Sequence, residues 1–405
     1  MIFHLKRVSI LLSIFFFFLV LFLLFSHLNV LSYSDNTPPS IYMQFPKESE
    51  IVSGSICVKF TVIDKESRIE SVLIRIDGEL CDILAGDFKK KKALEYDLKL
   101  DTTKLSEGRH ILTVSASSCN GNATTTKDTL FYVDNHPLNV EVILGGSNRV
   151  YPGSVLPLQC VLSEEVRDIR VEIMGYDIFL FTTDIGYEGF VPIRLAVEPE
   201  EVDMEVSLTD NLGESVNINK KILILPKGFE SEYIVLPETK AEPIPKEVIE
   251  KEYQILLNEL LSPSEVLYEK DGFIIPVEGK ITSPYGTYRR FSNGVVSRHI
   301  GVDYSCPEGT EVKACGAGVV RLVDDFAIRG KFVLIDHGWG VYSLYNHLSD
   351  VLVDVGDIVS KGDVIGKVGS TGLATGPHLH WEVRVGRWAV DPLQWTDERI
   401  FANLH

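Results

Sequence analysis

Little in this 405-residue chain is basic. Lys and Arg number 39 against 57 Asp and Glu, a formal charge of −18, and most of the acidic excess lies before Pro276. An acidic chain without a basic stripe lacks the footprint of a nucleic-acid binder, so no nucleic-acid partner is expected. The longest basic run, Lys89 to Lys92, reads as a solvated loop tip. Cysteine is scarce too. Six in a chain of this size do not make a disulfide scaffold. Cys306 and Cys315 are close enough in sequence to bridge across a hairpin, which spacing alone does not establish. No run of helical period follows the glycines between Gly356 and Gly376, as a phosphate-cradling loop or dinucleotide fold would need. Those glycines read as turn punctuation between short apolar strands.

Lys and Arg are also missing between Arg7 and Lys47. Within that gap, Val8 to Phe25 is uncharged and rich in phenylalanine, close to the roughly 20 residues that cross a bilayer as a helix. Lys6 and Arg7 precede it, so residues 1–7 are expected in the cytoplasm and 8–27 as a transmembrane anchor. The expected location is therefore the cell membrane, crossed once, with the bulk of the chain outside the cytoplasm. A cleaved secretory signal is the alternative, although its apolar region normally spans only about 7–15 residues.

The remainder of the chain is mainly β. From 40 to 135, β-rich runs such as Ile56–Phe60, Val72–Ile76, His110–Val114 and Thr129–Val133 alternate with turn signals. Asp77-Gly78 marks a tight hairpin. With the turn Leu105–His110 and the closing Val133-Asp134-Asn135, this stretch resembles the immunoglobulin-like β-sandwich modules of bacterial surface proteins. Residues 138–225 repeat the rhythm as a second β-sandwich, with Ile169, Val171 and Ile173 alternating with Arg170 and Glu172. Both modules are expected to act as a spacer and offer surfaces for cell-envelope protein partners. Residues 226–271 read as a linker with a helix. Pro237 to Pro245 is linker-like by composition, and a helix begins near Pro245. Its apolar stripe is Ile249, Tyr253, Leu256, Leu257 and Leu260.

Chemistry concentrates near the C-terminus, in His299-Ile300-Gly301-Val302-Asp303, Tyr345-Asn346-His347-Leu348 and Gly376-Pro377-His378-Leu379-His380-Trp381-Glu382. Alternation from His299 to Tyr304 predicts a strand with His299 and Asp303 on one face. In the last piece, Leu379, Trp381, Val383 and Val385 take one face and His378, His380 and Glu382 the other. Two such strands bring two imidazoles and a carboxylate together, the donor set of a one-zinc hydrolase with an open position for water. Glu382 either orients an imidazole or faces solvent, and it is not counted in the expected site. His337, between Asp336 and Gly338, reads as a structural residue of a hairpin turn.

These pieces, with Ser283-Pro284-Tyr285-Gly286, Gly318-Val319-Val320, Lys361-Gly362-Asp363, Gly369-Ser370-Thr371-Gly372 and Asp391-Pro392, resemble the lysostaphin/LytM family of zinc peptidases. The similarity runs from about Ile281 to Trp395. It implies an antiparallel β peptidase domain over 272–396 that cuts peptidoglycan stem or cross-bridge peptides. It further implies one Zn2+ per chain on His299, Asp303 and His380, with His347 and His378 as catalytic histidines. The alternative is a non-catalytic regulator that binds and activates another wall hydrolase. Relatives of that kind lose metal ligands, and this chain retains all three.

Overall fold

The computed structural model describes residues 37–65, 68–85, 92–119, 124–136, 138–236, 244–401 and 404. The expected cytoplasmic N-terminus and anchor lie outside them, as do residues 237–243 of the linker. Among the described residues no helix is long and apolar enough to cross a membrane. The chain divides into two compact units, Met1–Pro137 and Leu138–His405.

The first unit is a β-sandwich. Ser40–Phe45, Ser55–Ile63 and Ala93–Asp101 form a three-stranded sheet, and a five-stranded sheet centres on Gly108–Ser118. Val58, Phe60 and Val62 of one sheet share a core with Val72, Ile74, Leu112, Val114 and Phe131 of the other. Asp77 and Gly78 both have positive φ, 52° and 84°. That conformation lets a two-residue hairpin follow the natural twist of its strands.

The second unit opens with another pair of sheets, of five and four strands, around Leu158, Val171, Met204, Val206 and Ile222. This module is not merely tethered to the C-terminal part. Its Val155, Phe181 and Phe190 sit in one continuous core with Phe273, Trp339, Trp395 and Phe401 of that part. Phe181 stacks on Trp339 at 5.7 Å between ring centroids, and Phe190 lies 5.0 Å from Trp395. Gln394 clamps the Val155 backbone through two hydrogen bonds of 2.9 and 2.7 Å. Aromatic burial of this extent makes the seam part of the folding core, so this module packs onto the C-terminal part and is not an independently tethered unit.

The C-terminal part is a ten-stranded antiparallel sheet. Its central neighbours are Lys280–Ser283, Val302–Ser305, His378–Val385, Val341–Val351, Gly330–Asp336 and Gly318–Phe326, in that spatial order. Leu379, Trp381, Val383 and Val385 enter the core as their alternation predicts. The helix Lys246–Leu260 closes another face, placing Leu256 and Leu260 against Phe326, Phe332, Leu334, Tyr342 and Leu344. Its buried edge differs from the apolar stripe. Ile249 and Tyr253 remain exposed, whereas Glu252 is buried and accepts hydrogen bonds from the Ala327 and Ile328 amides. Satisfying two amides in an adjacent turn outweighed the hydropathy pattern at that position.

Among the described residues none of the six cysteines is in a disulfide. Cys315 lies beside His337, with Sγ 3.8 Å from Nε2, and complete burial pushes its thiol up to about 12. His337 is fully enclosed. Its Nδ1–H donates to the Ala317 carbonyl at 2.8 Å, and Nε2 meets the Ser343 hydroxyl at 2.7 Å. It ties the hairpin between two strands to the layer below, in keeping with a structural role.

Candidate metal centre and its groove

Strand register places the first two donors. In the antiparallel pairing of Val302–Ser305 with His378–Val385, Asp303 is opposite His380 and Ser305 is opposite His378. His299 is not in that strand, contrary to the alternation reading. The strand begins only at Val302, and the backbone of His299 pairs instead with Gly286 and Thr287. The bend comes at Gly301. A Cβ there would lie 2.5 Å from the Trp381 carbonyl and 2.9 Å from the His380 ring. Glycine lets the chain pass over the neighbouring strand and fold His299 back onto Asp303.

Three atoms converge as a result. Asp303 Oδ1 lies 2.7 Å from His380 Nδ1 and 3.1 Å from His299 Nε2, and the two nitrogens are 2.9 Å apart. All three residues are buried. The remaining nitrogens have other partners. His299 Nδ1–H points to the Pro284 carbonyl at 3.0 Å, and His380 Nε2–H to Glu382 Oε1 at 3.2 Å. Those partners assign the tautomers and turn a lone pair of each ring inward. Burial opposes the charge on Asp303, but the imidazoles, His380 foremost, override it and hold the carboxyl well below its usual range. Burial likewise draws His380 down, and Asp303 and Glu382 outweigh it, so its pKa is raised. A carboxylate among imidazole lone pairs calls for a proton or a cation, and two nitrogens with one oxygen suit zinc. The residues therefore fit such an ion.

Two further imidazoles stand alongside. His378 Nε2 is 3.9 Å from Asp303 Oδ1, and the His347 and His378 ring centroids are 4.8 Å apart. Each is pinned at its back. His347 Nδ1–H donates to the Thr371 carbonyl at 2.9 Å, and His378 Nδ1–H to the Gly376 carbonyl at 2.8 Å. Both Nε2 atoms are left as proton acceptors. Burial, reinforced by His378 and His380, lowers the His347 pKa to about 3. Burial lowers that of His378 also. His347 itself sits at φ 64°, a left-handed conformation uncommon for a residue with a side chain and frequent at functional positions.

All five sequence-predicted residues thus meet in one place. Three other residues join them: Glu382, which the sequence reading weighed but left out of the site, and Arg289 and Glu232, which it missed. Glu382 does not face solvent: it is 2 % exposed and accepts from His380 and from Arg384 Nε and Nη2, at 2.9 and 2.7 Å for the latter two. Its signal was position, two residues beyond His380 on the same face. Arg289, on the strand Tyr288–Phe291, donates to Asp303 Oδ2. Glu232 comes from within the supposed linker. Residues Ser231–Ile234 form a strand parallel to Tyr288–Phe291, with Glu232 beside Arg289. Nothing local in the sequence signals a pairing across such a separation.

Asp303, His347 and His378 of these five line a groove of about 360 Å³, together with Glu232, Ser283 and Arg289. Ile234, Leu236, Phe291 and Leu373 supply apolar lining, while Thr282, Ser305 and Thr375 add hydroxyls.

Residues 297–392 match the sequence profile of Peptidase family M23. Over 131 residues the chain is 42 % identical to the DD-carboxypeptidase/endopeptidase Mpg of Neisseria meningitidis, covering 32 % of this chain and 30 % of that protein. Over 90 residues it is 44 % identical to the peptidoglycan DD-endopeptidase ShyA of Vibrio cholerae, covering 22 % of this chain and 21 % of the relative. The chain thus spans less than a third of the length of these curated relatives. Among solved structures, a peptidase M23 protein from Pseudomonas aeruginosa is 27 % identical, covering 63 % of this chain and 96 % of its own, at a TM-score of 0.45. The part of this chain that is similar to peptidase family M23 thus lies within its C-terminal β domain, at residues 297–392.

Proposed function

We propose that the chain is a zinc-dependent endopeptidase that hydrolyses peptide bonds in peptidoglycan stem or cross-bridge peptides during cell-wall remodelling. The observation that carries this reading is the convergence of His299 Nε2, Asp303 Oδ1 and His380 Nδ1 beside two imidazoles with open Nε2 atoms. His299, Asp303 and His380 would hold one zinc ion. Such an ion supplies a water acidic enough to attack at neutral pH and polarises the scissile carbonyl.

The protein residues around it have distinct tasks. Burial favours the neutral form of His347 and His378, and their backbone-tied Nδ1–H groups fix the rings and leave Nε2 free to take a proton. Either can accept a proton there and return it to the departing amine, which is general base and then general acid catalysis. The apolar wall from Ile234, Leu236 and Phe291 excludes water from one flank and accommodates an extended peptide. The names of the Mpg and ShyA relatives support peptidoglycan as the substrate. The uncharged N-terminal run supports attachment to the cell membrane, with the peptidase outside.

Incubation of the zinc-loaded chain with purified peptidoglycan, followed by mass spectrometry of the released fragments, tests the reading. New amine and carboxyl termini within stem or cross-bridge peptides are expected. Intact wall after prolonged incubation, with zinc bound, favours the non-catalytic regulator instead.

A further inference from the structure

We propose that Glu232 is a positioning residue that holds two of the three metal donors through separate hydrogen-bonded arms, a role resting on the zinc reading above. Glu232 lies outside the stretch that matches the peptidase family, residues 297–392. Its Oε1 accepts from Ser283 Oγ at 2.8 Å and from Arg289 Nε. Arg289 then donates through Nη2 to Asp303 Oδ2, the carboxylate oxygen turned away from the histidines. Ser283 Oγ lies 3.2 Å from His299 Nδ1 and shares that proton with the Pro284 carbonyl. One carboxylate therefore sets the rotation of Asp303 and the tilt of the His299 ring. His380 has a carboxylate of its own in Glu382, so every donor of the candidate centre is backed by an outer acidic residue.

Charge gives the arrangement a second purpose. Arg289 is 14 % exposed in its side chain, and Asp303 is 9 % exposed. A guanidinium with Asp303 as its sole carboxylate partner would compete with a cation for that oxygen pair. Glu232 supplies the second carboxylate and shares the positive charge.

The strand that carries Glu232 is fastened, as a positioning element has to be. The Tyr288 amide donates to the Glu230 carbonyl and the Ser292 amide to that of Ile234, both at 2.8 Å. Just upstream, the Phe229 ring occupies the space beside Gly286, where a Cβ would come within 2.1 Å of it. The Arg298 guanidinium lies 4.7 Å from the Phe229 ring and 3.5 Å from that of Tyr288. Downstream, Leu236 is buried and its amide reaches Ser292 Oγ at 3.1 Å.

The test measures zinc affinity of the full chain by competition with a chromogenic chelator, without substrate. Glu232→Gln keeps the shape and removes the charge, and affinity is expected to fall about 10–100-fold. The visible spectrum of the cobalt-loaded variant is expected to change as well, because Asp303 is no longer held in one orientation. Tyr233→Ala, at an exposed position of the same strand, is expected to match the parent. The melting temperature of each metal-free protein is measured in parallel. A Glu232→Gln chain with parental zinc affinity overturns the proposal while leaving the zinc reading intact. Loss of affinity accompanied by an equal loss of metal-free stability also overturns it, since the role is then general to the fold. A parent chain that takes up no zinc overturns both.

Discussion

Asp303 and His380 face each other across two antiparallel strands, and their side chains meet at 2.7 Å between Oδ1 and Nδ1. Because side chains alternate along a strand, this pairing also fixes the neighbours. His378, two residues away on the same face, approaches the same oxygen at 3.9 Å. One of the two histidines can thus bind metal while the other handles protons.

Substitution should separate those roles. Changing His299, Asp303 or His380 to Ala is expected to abolish both zinc content and hydrolysis, since two protein donors would remain. Changing His347 or His378 to Ala is expected to retain zinc while the rate falls about 10²–10⁴-fold. Elemental analysis beside hydrolysis of wall peptides distinguishes the classes. If His378→Ala loses the metal and His380→Ala keeps it, the assignments within the pair are reversed.

Glu382 should matter to folding as well as to metal. It is buried with Arg384 and Arg329 around it and His380 above, and Arg384 and Arg329 are the foremost influences offsetting burial to hold its carboxyl well below the usual range. Glu382→Ala would strand two buried guanidinium groups, at a cost of about 3–5 kcal/mol. Denaturant unfolding of the metal-free chain measures this. Unfolding at the parental midpoint would refute the expectation.

The aromatic seam leads to an asymmetric result on truncation. Removing residues 40–137 is expected to leave the unfolding of the remaining unit unchanged. Removing 40–225 would expose Phe273, Trp339, Trp395 and Phe401, and an insoluble or molten product is expected. Phe190→Ala, at a position 1 % exposed, should cost about 3–5 kcal/mol. Full stability after the longer deletion would show that the second module is a separable spacer after all.

Acid should weaken the fold through His337. Burial lowers its folded pKa to about 4 from an unfolded value of 6.5. The unfolded chain therefore binds more protons between those values, and the stabilisation present above pH 6.5 is lost as pH falls toward 4. A shift of that size corresponds to ~3 kcal/mol. Urea unfolding of the chelated protein at pH 7 and 4.5, compared with His337→Gln, isolates the effect. Identical slopes against pH in both proteins would contradict it.

Fractionation tests the anchor. Alkaline washing should leave the chain in the membrane pellet, whereas recovery of a soluble form beginning near Tyr33 would identify a cleaved signal.

The β architecture and the five central residues were legible in the sequence because both depend on short-range pattern. Leu379, Trp381, Val383 and Val385 advertise a core-facing strand, and the histidines between them inherit the other face. His299 was harder. Its alternation with Val302 and Asp303 suggested a strand, but crowding at Gly301 bends the chain there. Glu232 was out of reach, since its partner Arg289 lies far along the chain and parallel pairing leaves no turn to read. The fusion of Phe181 and Phe190 with Trp339 and Trp395 was hidden for a related reason. A buried aromatic looks alike whether it packs within its own module or against the next.

The backbone of His347 also constrains how this chain can change over generations. At φ 64°, most side chains would strain the turn, and β-branched ones would strain it most. Loss of the imidazole and loss of the local conformation are therefore penalised together, so ordinary drift finds few tolerated replacements. A descendant that gave up catalysis but kept the fold should carry glycine or asparagine here, the residues at ease in that conformation. If the proposed hydrolysis is this chain's activity, the identity of this one position would then record whether a lineage has kept it.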